Sequence, residues 1–146
     1  MQLYIGCSGW SYTSWQGPFY PPSIENRAWL PFYSHVLNYV EIDSTFYRIP
    51  SEYMVKNWER RTPDNFRFTV KFPKVITYDK RFKNVKKELS MFYEAMEPLK
   101  DKLLALLIQL PPELSCGSSR YSCCHHCLHT LPCRQMLVLP VIPCSC

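Results

Sequence analysis

Glycine is scarce in this chain, with four in 146 residues, at positions 6, 9, 17 and 117. That shortage excludes a glycine-rich phosphate loop: Gly6-Cys7-Ser8-Gly9 lacks both the third glycine and the lysine that such a cradle requires. No run of eighteen apolar residues occurs, which removes a membrane-spanning helix and a membrane partner from the expectations. The opening Met1-Gln2-Leu3-Tyr4-Ile5 has neither the basic stretch nor the small-residue cleavage site of a secretory leader, so the expected location is the cytoplasm. Charge of one sign is also lacking. Up to Ser115 there are 15 basic and 12 acidic residues, a surplus of three. Such a surplus is too small to argue for nucleic acid, and that partner is left open.

What is present looks at first like one globular domain, 47% hydrophobic and 15% aromatic. The average conceals a seam. Of eight cysteines only Cys7 precedes residue 116, and the 31 residues from Cys116 to Cys146 contain no Asp, Glu, Lys, Trp or Phe. Residues 1–115 and 116–146 are therefore read as separate units.

In the first unit, Leu3-Tyr4-Ile5-Gly6-Cys7-Ser8, closed by Gly9, has the composition of a short strand ending in a turn. The loop that follows, with Trp10, Trp15, Phe19, Tyr20 and three prolines, is too proline-rich for a helix and too aromatic to float in solvent. Residues 25–37 read as a helix, with Pro31 in its first turns, and Tyr39–Ser44 as a second strand. Ser51 is placed as the N-cap of a helix running to about Arg61, and Phe66–Lys71 alternates as a third strand. Phe82, Val85, Leu89, Phe92, Met96, Leu99 and Leu103 recur at spacings of three and four, one stripe of a helix. Leu103–Leu110 is an apolar fourth strand stopped by Pro111-Pro112. Strands alternating with helices require a parallel sheet with right-handed crossovers, so the fold class is α/β. Four strands are half of what a closed eight-stranded barrel uses.

In such folds the working residues collect at the carboxyl ends of the strands. Those ends supply Ser8 and Trp10, then Glu41, Asp43 and Ser44, then Thr69 and Lys71, then Gln109. Glu41 and Asp43 share one face of their strand and Thr69 and Lys71 one face of theirs, so Lys71 is the natural partner of Glu41 if the strands are neighbours. Glu41, Lys71 and Asp43 are the catalytic candidates: Glu41 as general base or ligand clamp, Lys71 as its electrostatic partner, Asp43 as an orienting group. Ser8, Trp10, Ser44, Tyr47 and Gln109 are the ligand-binding candidates, with Trp10 as a stacking wall. The competing readings are a structural ion pair on the barrel floor and an aromatic loop that merely covers the core. Cys7 is read as a buried, inert thiol.

Five segments taken in order resemble one family: Ile5-Gly6-Cys7-Ser8-Gly9-Trp10-Ser11-Tyr12, Phe19-Tyr20-Pro21, Val40 through Pro50, Phe68-Thr69-Val70-Lys71 with Ile76-Thr77, and Gln109-Leu110-Pro111-Pro112. The chain is similar to the DUF72, or YecE-like, family over residues 3–112. The resemblance implies the N-terminal half of a TIM-type (β/α)8 barrel and no firmly established activity. Tyr78 stands where the family pattern leads one to expect histidine, which puts proton transfer at that position in question.

Beyond Leu114 the expected fifth strand does not follow. Cys124, Cys127, His129 and Cys133 offer a tetrahedral donor set, yet a single residue between Cys127 and His129 leaves the chain little room to turn around an ion. Residues 116–146 are read as an irregular, disordered, Cys-rich tail, the product of a lost reading frame, and no metal or cofactor is expected. The expected function is an acid/base or hydrolytic enzyme acting on a small polar ligand, inactive as a truncated chain. The alternative is a non-catalytic phosphate or nucleic-acid binding module. Open sheet edges lead one to expect self-association.

Overall fold

A computed structural model describes residues 2–111 and the strand 136–140. Four parallel strands, β1 (Gly6–Ser8), β2 (Tyr39–Ile42), β3 (Arg67–Lys71) and β4 (Leu103–Gln109), lie side by side in chain order. Between them run α1 (Trp29–Val36), α2 (Glu52–Arg60) and α3 (Lys86–Met96). Neighbouring parallel strands joined by crossovers of one hand put every helix on the same face of the sheet. The architecture is therefore α/β, as the alternation of patterns requires, and resembles part of a TIM-type barrel.

The local signals explain the elements. Pro31 is the third residue of α1, where its missing N–H would have had no intrahelical partner. The Ser51 hydroxyl accepts the Met54 N–H at 3.3 Å, capping α2. On the helix side, Val40 and Ile42 of β2, Phe68 and Val70 of β3, and Leu106 and Ile108 of β4 join Trp29, Tyr33, Val55 and Phe92 in one core. The aromatic loop packs on this layer: Tyr20 stacks on Trp29 at 4.9 Å, and Trp15 lies parallel to Tyr33 at 6.4 Å.

Several expectations are corrected. The seven-residue stripe spans more than one helix. Phe82 precedes α3 in a left-handed conformation (φ 60°), Leu99 closes a one-turn 3-10 helix, and Leu103 opens β4. Val85, Phe92, Met96 and Leu99 are nevertheless buried, because a turn that tightens from α to 3-10 keeps nearly the same face inward. Cys7 is exposed, since among the described residues no strand lies outside β1. The region read as an irregular tail contributes a strand, β5 (Met136–Pro140), antiparallel to β4 and registered from Ala105↔Pro140 to Gln109↔Met136. Five consecutive residues able to extend were enough to occupy the hydrogen-bonding edge of β4. The proposed tail ligands Cys124, Cys127, His129 and Cys133 lie outside the described residues. Among the described residues no helix is long and apolar enough to cross a membrane.

Candidate functional site

The side of the sheet away from the helices is assembled by register. Ser8 pairs with Glu41, Glu41 with Thr69, and Thr69 with Ala105, while Lys71 pairs with Leu107. Side chains alternate along a strand, so these positions share one face and Lys71 is the diagonal neighbour of Glu41. The Lys71 Nζ lies 3.5 Å from Glu41 Oε1, and the two side chains are only 17% and 20% exposed. Ser8 Oγ donates to the same carboxylate oxygen at 3.3 Å. Strand pairing therefore brings three of the sequence candidates into contact.

The far side of the lysine is held by the chain after the neighbouring strands. Phe46, in the one-turn 3-10 helix Ser44–Phe46 after β2, lies under the Lys71 ammonium, 5.8 Å from ring centroid to Nζ. Thr45 Oγ1 donates within reach of the carbonyl oxygens of Lys71 (2.7 Å) and Ile42 (3.0 Å), tying that turn to the end of β3. A single π-helical turn, Val75–Asp79, follows β3 and carries Tyr78 to the edge of the Phe46 ring, 5.2 Å away. Gln109 Nε2 donates to the Tyr78 hydroxyl at 3.0 Å. Ser8, Glu41, Lys71, Phe46, Tyr78 and Gln109 thus form a line of contacts across the carboxyl ends of all four parallel strands. Tyr78, at the position where histidine was expected, serves as a hydrogen-bond partner in that line.

Other candidates stand apart. Asp43 is half-buried and caps nothing with its side chain, Ser44 is exposed, and Tyr47 is 80% exposed, touching Phe46 edge-on. Trp10 is turned away from the pair and packs edge-on against Trp58 of α2, at 5.9 Å. Tyr12 is the aromatic residue beside the acids. Its hydroxyl donates to the Ser8 carbonyl, and burial, then the charges of Asp43, Cys7 and Glu41, raise its phenol above the ordinary range. Tyr39 is raised by burial and by Glu41, against a hydrogen bond to Thr69 that lowers it. Sequence reasoning passed over Tyr12, Phe46 and Tyr78 as site residues because two of them look like packing aromatics and Tyr78 looked like a loss. Their common signal was position, within a few residues after a strand end.

Among the described residues no three of His, Cys, Asp and Glu stand close enough to hold a metal ion. A family model, "Protein of unknown function DUF72", matches residues 4–139. The chain belongs to the DUF72 family. That match passes Ser115 and reaches into β5. Among DUF72 relatives, the UPF0759 proteins YunF of Bacillus subtilis and YecE of Escherichia coli are each 29% identical to it, over 90% and 89% of this chain. A DUF72 crystal structure from Thermotoga maritima superposes with a TM-score of 0.62 at 34% identity, covering 74% of this chain and 44% of that one. One from Enterococcus faecalis gives 0.66 at 25% identity, covering 88% and 48%. This DUF72 chain spans about half the length of the curated relatives it matches, 49% of YunF and 44% of YecE.

Proposed function

We propose that the Glu41–Lys71 pair is the working centre of an acid/base or hydrolytic site for a small polar ligand. The observation that carries the reading is a carboxylate and an ammonium 3.5 Å apart, each largely removed from solvent, at the carboxyl ends of parallel strands. In this scheme Glu41 takes a proton from the ligand, and Lys71 stabilises the negative charge left behind. Ser8 and Asp43 orient Glu41 and the ligand, while Gln109 is positioned by Tyr78. Ser44 and Tyr47, both exposed, act at the rim. Since the relatives carry about as much chain again, the remaining groups of the mouth are assigned to that part, and this chain alone is expected to bind without turnover.

The test is a screen of small hydroxy acids, polyols and phosphate esters, read by saturation-transfer NMR for binding and by new ligand signals for turnover, in this chain and in YunF. The expected result is a ligand bound by both and converted by YunF, with binding lost in Glu41→Gln and weakened in Lys71→Met. Binding that persists in Glu41→Gln, falls steeply with salt and gives no product in either protein would reject catalysis in favour of a phosphate or nucleic-acid module.

A further inference from the structure

The surplus of three positive charges in residues 1–115 is not spread over the fold. Residues 79–88 hold Lys80, Arg81, Lys83, Lys86 and Lys87 against Asp79 and Glu88, and the rest of that unit balances, ten basic against ten acidic. This stretch joins the π-helical turn after β3 to the start of α3, so it stands at the rim formed by the carboxyl ends of the strands. Glu88 pairs with Lys80 at 2.7 Å and Asp79 with Lys74 at 4.0 Å, which leaves Arg81, Lys83, Lys86 and Lys87 without an acidic partner among the described residues. All four are exposed.

The local structure goes against ordinary preference in two ways. Arg81, Phe82 and Asn84 have φ of 47°, 60° and 53°, the left-handed region that such side chains rarely enter and that recurs at ligand clamps. The segment is nevertheless tied down, the Phe82 N–H donating to the Ile76 carbonyl at 2.9 Å and the Lys83 N–H to the Lys80 carbonyl at 2.8 Å. As a result the Phe82 ring, which the helical stripe assigns to the core, stays 37% exposed, flanked in the chain by two cations. Secondly, Lys86 and Lys87 open α3, at the positive end of the helix dipole, and Val85 before them supplies no capping side chain. A cation is the disfavoured charge there, and an anion resting on these lysines removes the conflict.

Four unpaired cations spread along a loop and the first turn of a helix suit a chain of negative charges better than a single anion. An exposed ring among them adds a platform on which a base can stack. The exposed apolar side chains further along α3, Met91 and Tyr93, stand among Ser90, Glu94 and Glu97, and those carboxylates oppose flat contact with an anionic membrane. A strand confined to the loop and the first turn of α3 avoids them. We infer that residues 80–87 bind single-stranded nucleic acid, with phosphates on Arg81, Lys83, Lys86 and Lys87 and a base against Phe82. This surface makes no use of Glu41 or Lys71, so it stands or falls separately from the function proposed above.

The probe is a fluorescein-labelled oligothymidylate of about twelve nucleotides, titrated with the full chain and followed by fluorescence anisotropy. Four neutralised phosphates give a slope of about −2.8 in log affinity against log salt, so binding should weaken roughly fiftyfold from about 50 to 200 mM NaCl. Arg81→Gln/Lys83→Gln should halve that slope and weaken binding at least tenfold at the lower salt. Phe82→Leu, which keeps the bulk without the ring, should weaken it about fivefold with the slope unchanged. Lys100→Gln, on an exposed lysine already paired with Glu97, should bind as the parent chain does. Far-UV circular dichroism reports that each variant is folded. Should Phe82→Leu prove unfolded, oligothymidylate must still bind the parent chain about fivefold more tightly than an abasic strand of the same length. The inference is overturned if no saturable binding occurs, if the folded loop variants bind unchanged, or if Lys71→Met weakens binding as much as they do. It is also overturned if a duplex of the same length or phosphatidylserine vesicles hold the chain more tightly than the single strand.

Discussion

Gly6 and Lys102 show how much rests on single residues. A Cβ built on Gly6 would lie 1.8 Å from the Tyr39 carbonyl oxygen and 2.9 Å from the Tyr33 hydroxyl. The latter accepts the Cys7 N–H at 2.7 Å and donates to the Tyr39 carbonyl at 3.0 Å, bridging β1 and β2. Gly6→Ala is expected to separate those strands at a cost of about 3 kcal/mol, measured as a lowered denaturant midpoint. Restored stability in the double variant Gly6→Ala/Tyr33→Phe would place the clash on the phenol instead of on the backbone. Lys102 is buried, its ammonium donating to the Glu59 and Thr62 carbonyls at 2.6 and 2.7 Å and pairing with Glu59 at 3.4 Å. It closes the end of α2. Lys102→Met should therefore cost about 2–4 kcal/mol despite its apolar replacement, because it orphans buried carbonyls; an unchanged unfolding midpoint would sink the idea. None of this was legible in the sequence. Neither the carbonyl of Tyr39 nor the end of α2 is near Gly6 or Lys102 in the chain, so no local pattern assigns them these roles.

At the scale of elements, the aromatic layer between loop and helices gives the clearest pH prediction. Burial, with a smaller contribution from Cys7, raises the Tyr20 phenol to about 12 from an ordinary 10.0, and burial also raises Tyr33. Both phenols are neutral in folded and unfolded chains well below pH 10. Between about pH 10 and 12 the unfolded chain loses those protons while the folded chain keeps them, so stability falls as pH rises. Tyr20 alone should account for about 2–3 kcal/mol by pH 12. Thermal melts in that range should show a loss that is smaller in Tyr20→Phe, and an equal loss in both proteins would exclude Tyr20 as the cause. The elements themselves were largely legible: period two marked β3, the N-cap marked α2, and spacings of three and four marked the buried side of α3. Their ends were less so. Leu103 satisfies the helical stripe as well as it begins a strand, and only pairing with Phe68 decides which.

For the whole molecule the unresolved expectation was association through open edges. β5 covers the edge of β4 and becomes the outer strand on that side, so the edges among the described residues are β5 and β1, the latter preceded by Leu3 and Ile5 at 63% and 56% exposure. Sedimentation velocity should reveal concentration-dependent self-association, weakened at least tenfold, about 1.4 kcal/mol, by Ile5→Lys. A monomer at every concentration tested would remove β1 as a docking edge. Sequence alone determined the α/β class, the alternation of four strands with helices along the chain and the polar residues at the strand ends, because periodicity and turn chemistry act within a few residues. The tertiary structure decided which of those polar residues meet. Registered neighbouring strands joined Ser8, Glu41 and Lys71; the chain after β2 and β3 brought Phe46 and Tyr78 to the same place; and packing on Trp58 took Trp10 away from it. Contacts between groups tens of residues apart depend on where the backbone carries them, and no local pattern encodes that.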